Sequence, residues 1–158
     1  MSVRFITRTA ILLALTVIFQ SFRAPQLITG TLVNGMLLIS AGYVGMWSGV
    51  IIGLFTPVLA FLFGIMKFPP MIPFIMVGNA LYVLVFSGMR NKPVGMVLGS
   101  VVKFLWLSAS VYYMLPLFGV KAPAVLVEMF TFPQLATAVM GGVLALLVLG
   151  LLKKSLVE

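Results

Sequence analysis

The chain has 158 residues, of which 63% are hydrophobic and only 8% charged, a composition that excludes a soluble globular domain and marks an integral membrane protein. Ten Lys and Arg against two Asp and Glu give a net charge of +8, but these cations are scattered over connections and ends and form no nucleic-acid patch. The absence of Cys and His excludes disulfides, thiolate nucleophiles, imidazole bases and zinc sites, and two acids, Glu128 and Glu158, are too few for a paired-carboxylate mechanism or a proton relay.

Apolar runs broken by charge or proline predict a single six-helix membrane domain over residues 1–158, with spans at 6–22, 31–44, 46–64, 71–88, 94–115 and 133–152. The first run follows Arg4 and Arg8. It is expected to be a transmembrane helix, not a cleaved leader, because no small-x-small site follows it. The second is short for a full crossing and is expected to be tilted, broken, or fused to the third through Gly42 and Gly45. Gly45, Gly49 and Gly53, followed by Pro57, Ala60 and Gly64, form a small-residue ridge that suits close helix packing, and Pro57 frees a backbone carbonyl within the third span. Near the middle of the fourth span sits Asn79, with Ile75, Tyr82 and Phe86 on its side; an amide at that depth needs another helix or a ligand as partner. Asn34, beside Gly35 in the second span, lies nearer the outer surface, where capping competes with ligand contact.

The fifth span carries Lys103 roughly 13 Å from one end and 18 Å from the other, near the centre of a ~30 Å hydrocarbon slab. A charge there costs a few kcal/mol or more, so Lys103 is expected to face a protein interior or a wet cavity. Trp106, Ser110 and Tyr113 continue on its side, with Met96 and Gly99 below, as one wall of a pocket. Also open are the readings in which Lys103 binds backbone carbonyls or Asn79 across the bundle, and Trp106 and Tyr113 merely pack or join an aromatic belt. In the last span Gly141 and Ala145, below Gln134 and Thr137, read as packing positions. The connection before it is the longest, and its apolar stretch 124–130 is expected either to lie over the outer face as a lid or to be an ordinary interfacial loop. Counting cations places Arg4, Arg8, Arg90, Lys92, Lys153 and Lys154 inside and Arg23, Lys67 and Lys121 outside, with both termini cytoplasmic.

The run from Arg8 to Leu15, RTAILLAL, sets Ala10 and Ala14 one turn apart at the cytoplasmic end of the first span. Together with six short spans, the chain's size and its basic balance, it resembles the substrate-binding S component of energy-coupling factor (ECF) vitamin transporters. Leu32-Val33-Asn34-Gly35, the segment GVIIGLFTP from Gly49 to Pro57, Gly78-Asn79-Ala80 and Val102-Lys103-Phe104-Leu105 look like the folate and pantothenate-type branch. The resemblance implies six helices in a compact bundle in a prokaryotic cell membrane. Its pocket opens to the extracellular side and is closed by the first and third outer loops. It further implies that Ala10 and Ala14 dock on a T component bearing two ATPase subunits, and that the whole component topples to deliver its ligand.

The chain has no G-x-x-x-x-G-K-[ST] loop, so ATP hydrolysis by that route belongs to partners. The leading expectation is therefore a receptor for a vitamin or related small water-soluble nutrient, neutral or anionic, with no cofactor or metal of its own. Lys103 would pair with a carboxylate, phosphate or carbonyl; Trp106, Tyr82 and Tyr113 would stack on the ligand; Asn79, Ser110, Gln134 and Asn34 would bond its polar edge. The alternative is a scaffold subunit without a ligand, which leaves Lys103 without a purpose. An enzyme is disfavoured because Lys103 and Ser110 stand about 10 Å apart along one helix, too far for a nucleophile and its base.

Overall fold

The computed structural model describes residues 2–22 and 24–155. Arg23, counted above among the outer cations, and Glu158 lie outside the described residues. Among the described residues every regular element is helical: α1 (Val3–Ser21), α2 (Gln26–Tyr43), α3 (Met46–Leu62), α4 (Ile72–Gly88), α5 (Lys92–Ala109), α6 (Leu115–Leu117), α7 (Ala124–Met129) and α8 (Phe132–Ser155). A π-helical turn, Ser110–Met114, joins α5 to α6, and a 3-10 turn, Pro69–Met71, leads into α4.

Local chemistry sets most of these boundaries. Ser2 caps α1 by accepting from the Phe5 N–H, and Asn91 caps α5 by accepting from the Val94 N–H, with Pro93 in the first turn where its missing N–H costs nothing. Lys92 donates its ammonium to the carbonyls of Phe86, Ser87 and Met89, satisfying the end of α4. Gly64, at φ +67°, reverses the chain after α3, so that the Ile65 and Met66 N–H groups both return to the Ala60 carbonyl.

The second span departs from expectation. It begins at Gln26, not at 31, and runs as an unbroken 18-residue helix. It is not fused to α3, because Gly45 adopts φ +137° and turns the chain; Gly42 stays helical.

Four segments, Val3–Ser21, Pro69–Gly88, Lys92–Leu117 and Ala124–Lys154, are long and apolar enough to cross a membrane, and α3 is a shorter apolar helix of 17 residues. The long helices close into a ring in which α2 packs on α3, α3 on α4, α4 on α5, α5 on α8, and α8 back on α2. α1 stands outside the ring, against α2 and α3. Apolar burial around Leu37, Ile52, Tyr82, Val83, Phe86 and Ala145 fills one half of the interior. A second cluster, Met71, Leu107, Val111 and Leu115, gathers Phe74, Trp106, Val127 and Phe130 at the other end. Between the two lies a polar layer.

Candidate functional site

The polar layer is built on a defect in α3. Pro57 has no N–H, so the Gly53 carbonyl one turn earlier lacks its helical partner. The Asn79 amide of α4 supplies it instead, donating from Nδ2 to the Gly53 oxygen at 2.9 Å. That contact requires glycine at 53, since a Cβ there would stand 2.9 Å from the Asn79 Cβ. With its amide nitrogen so engaged, Asn79 turns Oδ1 inward, where it accepts from Lys103 Nζ at 2.7 Å. Lys103 also donates to Asn34 Oδ1 at 2.5 Å, and Asn34 Nδ2 donates to Thr137 Oγ1 at 3.4 Å. Thr137 in turn donates to the Gln134 carbonyl at 3.1 Å. The network thus ties α2, α3, α4, α5 and α8 together at one level.

Lys103 is only 2% exposed, and its ammonium lies 5.4 Å from the centre of the Tyr82 ring. Two of its three N–H donors are spent on the amides. The third has no hydrogen-bond partner among the described residues. Above it opens a cavity of about 470 Å³ at the end of the bundle where α1 and α3 finish and α2, α4 and α8 begin. Its polar floor includes Lys103, Asn79, Asn34 and Gln134; Ile75, Met66 and Phe68 make an apolar side. Pro123, Leu126, Met129 and Phe130, in and beside α7, also line it, which makes α7 a cover over the cavity.

Four of the eight residues singled out by sequence therefore meet in the cavity, and four stand outside its lining. Tyr82 is buried beneath the floor and donates its hydroxyl to the Ala138 carbonyl at 2.7 Å. Trp106 donates Nε1 to the Phe74 carbonyl at 2.8 Å, pinning α5 to α4. Ser110 returns its hydroxyl to the Trp106 carbonyl at 2.7 Å. Tyr113 is 75% exposed. The π turn explains this outward position: its i→i+5 pattern places more residues in each turn, so every residue advances the chain by less rotation, and Tyr113 falls farther round from Lys103 than an α-helix would place it.

Sequence reasoning missed Gln20, Gln26 and Thr29, which also line the cavity from α1 and α2. Amides near the ends of apolar runs are the signal that was there to read, but at an end such groups are ordinary, whereas at mid-span they are costly. Phe68 had no signal, whereas Phe130 ends the apolar stretch 124–130 whose reading as a lid the sequence had offered. The second connection, through Ile65, Met66, Lys67 and Phe68, also walls the cavity, where the resemblance had implied closure by the first and third; the reversal at Gly64 lays it there. Ala10 and Ala14 both lie exposed on α1.

Residues 4–152 match the family described as ECF transporter, substrate-specific component. Neither the curated proteins nor the solved structures give a significant match. The match runs through all six long helices and takes in Asn34, Asn79, Lys103 and Gln134: the chain belongs to the family of substrate-specific components of ECF transporters.

Proposed function

We propose that this subunit captures a vitamin or related small water-soluble nutrient, neutral or anionic, from outside the cell and passes it inward once docked on an energising module of a T component and two ATPase subunits. The observation that carries this reading is the buried Lys103, held between Asn34 and Asn79 with one donor free beneath the cavity. A lysine kept for helix packing alone has no use for a cavity above it, whereas a ligand oxygen gives the free donor its partner.

The alternation of the helices supports the orientation. It sets Arg4, Arg8, Arg90, Lys92, Lys153 and Lys154 at the end opposite the cavity, and the positive-inside rule makes that end cytoplasmic, in a prokaryotic cell membrane with both termini inside. Docking through Ala10 and Ala14 follows from the family resemblance. Their exposure, beside Ile6 at 55% and Ile11 at 55%, leaves the first helix an uncovered face at the cytoplasmic end.

The test begins with native mass spectrometry of the gently purified protein, to find a small molecule carried through purification, and continues with thermal-shift screening of vitamins and their precursors. Lys103→Met should weaken binding of the ligand so found at least about ten-fold, about 1.4 kcal/mol, while the protein still folds. Unchanged affinity would reduce Lys103 to a helix-joining group and favour a scaffold subunit.

A further inference from the structure

We infer that the substrate is a compact organic monoanion, a carboxylate with an apolar body, seated acid-first on Lys103 and Gln134. This rests on the nutrient-capture reading above and narrows its substrate class.

Charge gives the first constraint. Among the described residues, the charged ones lining the cavity are Lys103 at the floor and Lys67 at the rim, and no acidic side chain joins them. A cationic substrate would meet like charge with no counter-ion, and a neutral one would leave the buried ammonium with amide oxygens alone, whereas a single anionic group completes an ion pair away from water.

Hydrogen-bond supply gives the second. The amide nitrogens of Asn34 and Asn79 each place one of their two N–H groups, on Thr137 and on the Gly53 carbonyl, which leaves each with a single N–H. Gln134 differs. It is 6% exposed and lines the cavity, and its side-chain amide has no hydrogen-bond partner among the described residues. Its backbone carbonyl ends the chain of hydrogen bonds that runs from Lys103 through Asn34 and Thr137. One N–H from Lys103 and one from Gln134 are a match for the two oxygens of a carboxylate. A phosphate monoester brings about −1.5 to −2 charges and three strong acceptor oxygens, more than one buried ammonium can balance. Beyond the seat for the acid, the wall of Ile75, Met66, Phe68 and Leu126 suits an apolar body.

The experiment takes the whole 158-residue chain in detergent and follows its melting temperature with the small-molecule fraction of a rich growth medium. One portion is untreated, one has its carboxyl groups blocked by carbodiimide coupling to methylamine, and one is treated with phosphatase. The untreated and phosphatase-treated fractions should both raise the melting temperature, and the blocked fraction should not. Gln134→Leu, which leaves the Lys103 hydrogen bonds in place, should need at least about ten-fold more extract for the same rise. Equal stabilisation by the blocked fraction would overturn the inference by showing that the acid is not required. Loss of the shift after phosphatase would replace the carboxylate by a phosphate. A Gln134→Leu protein that responds like the parent would remove the acid from that seat. If no fraction shifts the parent protein, the nutrient-capture reading itself falls, and this inference falls with it.

Discussion

Pro57 and Asn79 solve a single problem from two helices. The proline leaves the Gly53 carbonyl without its helical donor in a buried part of α3, and a buried carbonyl left bare costs about 1–3 kcal/mol. Asn79 removes that cost and in the same stroke presents its oxygen to Lys103. Asn79→Ala should therefore lower stability by about 1–3 kcal/mol, measured by thermal unfolding in detergent. Pro57→Ala restores an N–H for Gly53, so the loss on adding Asn79→Ala should be smaller in that background. A double-mutant cycle should give a coupling of about 0.5 kcal/mol or more, and strict additivity would show that the two residues do not share the carbonyl. At this scale the sequence showed that Asn79 and Lys103 are too polar for their depth and that Pro57 frees a carbonyl. Which amide met which carbonyl was not legible, because the partners lie 26 and 24 residues apart and only packing brings them together.

Helix α2 shows why small residues recur where they do. Gly35 and Gly141 let α2 and α8 approach so closely that a Cβ on Gly141 would stand 2.5 Å from the Thr31 carbonyl and 2.7 Å from the Asn34 Cβ. This contact sets Asn34 beside Thr137, so the glycine pair positions the floor of the cavity. Gly141→Ala should cost about 1–3 kcal/mol by overpacking and weaken ligand binding, whereas Gly150→Ala, where nothing lies within 4 Å, should leave both unchanged; thermal unfolding and ligand titration of the two variants check this. At the opposite end Ser48 bonds both Thr9 at 2.8 Å and Ser40 at 2.7 Å, fastening α1 and α2 to α3 through buried hydroxyls. Small-residue spacing was readable as close packing. The choice of partner helix was not, since glycine carries no side chain to specify one.

On the scale of the whole molecule, the ring of α2, α3, α4, α5 and α8 encloses the site, and α1 is left on the outside with Ala10 and Ala14 uncovered. Replacing both alanines by tryptophan should leave ligand binding intact and abolish assembly with the T component. Co-purification checks this, and a double variant that still assembles removes the docking assignment. The chain has no cysteine, which makes orientation directly measurable. In intact cells Lys67→Cys should react with a membrane-impermeant maleimide, while Arg90→Cys should react only after the membrane is opened; the reverse pattern would invert the topology.

The sequence by itself determined that this is an all-helical membrane protein, how its cations divide between the two ends, and that Lys103 and Asn79 need partners at depth, while Asn34 read as nearer the outer surface and Gln134 only as a candidate contact. Those are one-dimensional properties: hydrophobic run length against bilayer thickness, and the cost of a polar group away from water, need no knowledge of neighbours. Only the tertiary structure decided that these four residues share a cavity while Trp106, Tyr82, Ser110 and Tyr113 bond or face elsewhere. Tyr113 turns away because a π turn changes the angle per residue, and Trp106 is drawn aside by a carbonyl on another helix. Helical spacing predicts the side of a helix; it cannot say which neighbour occupies that side, because the hydrogen bonds that decide it run between segments distant in the chain.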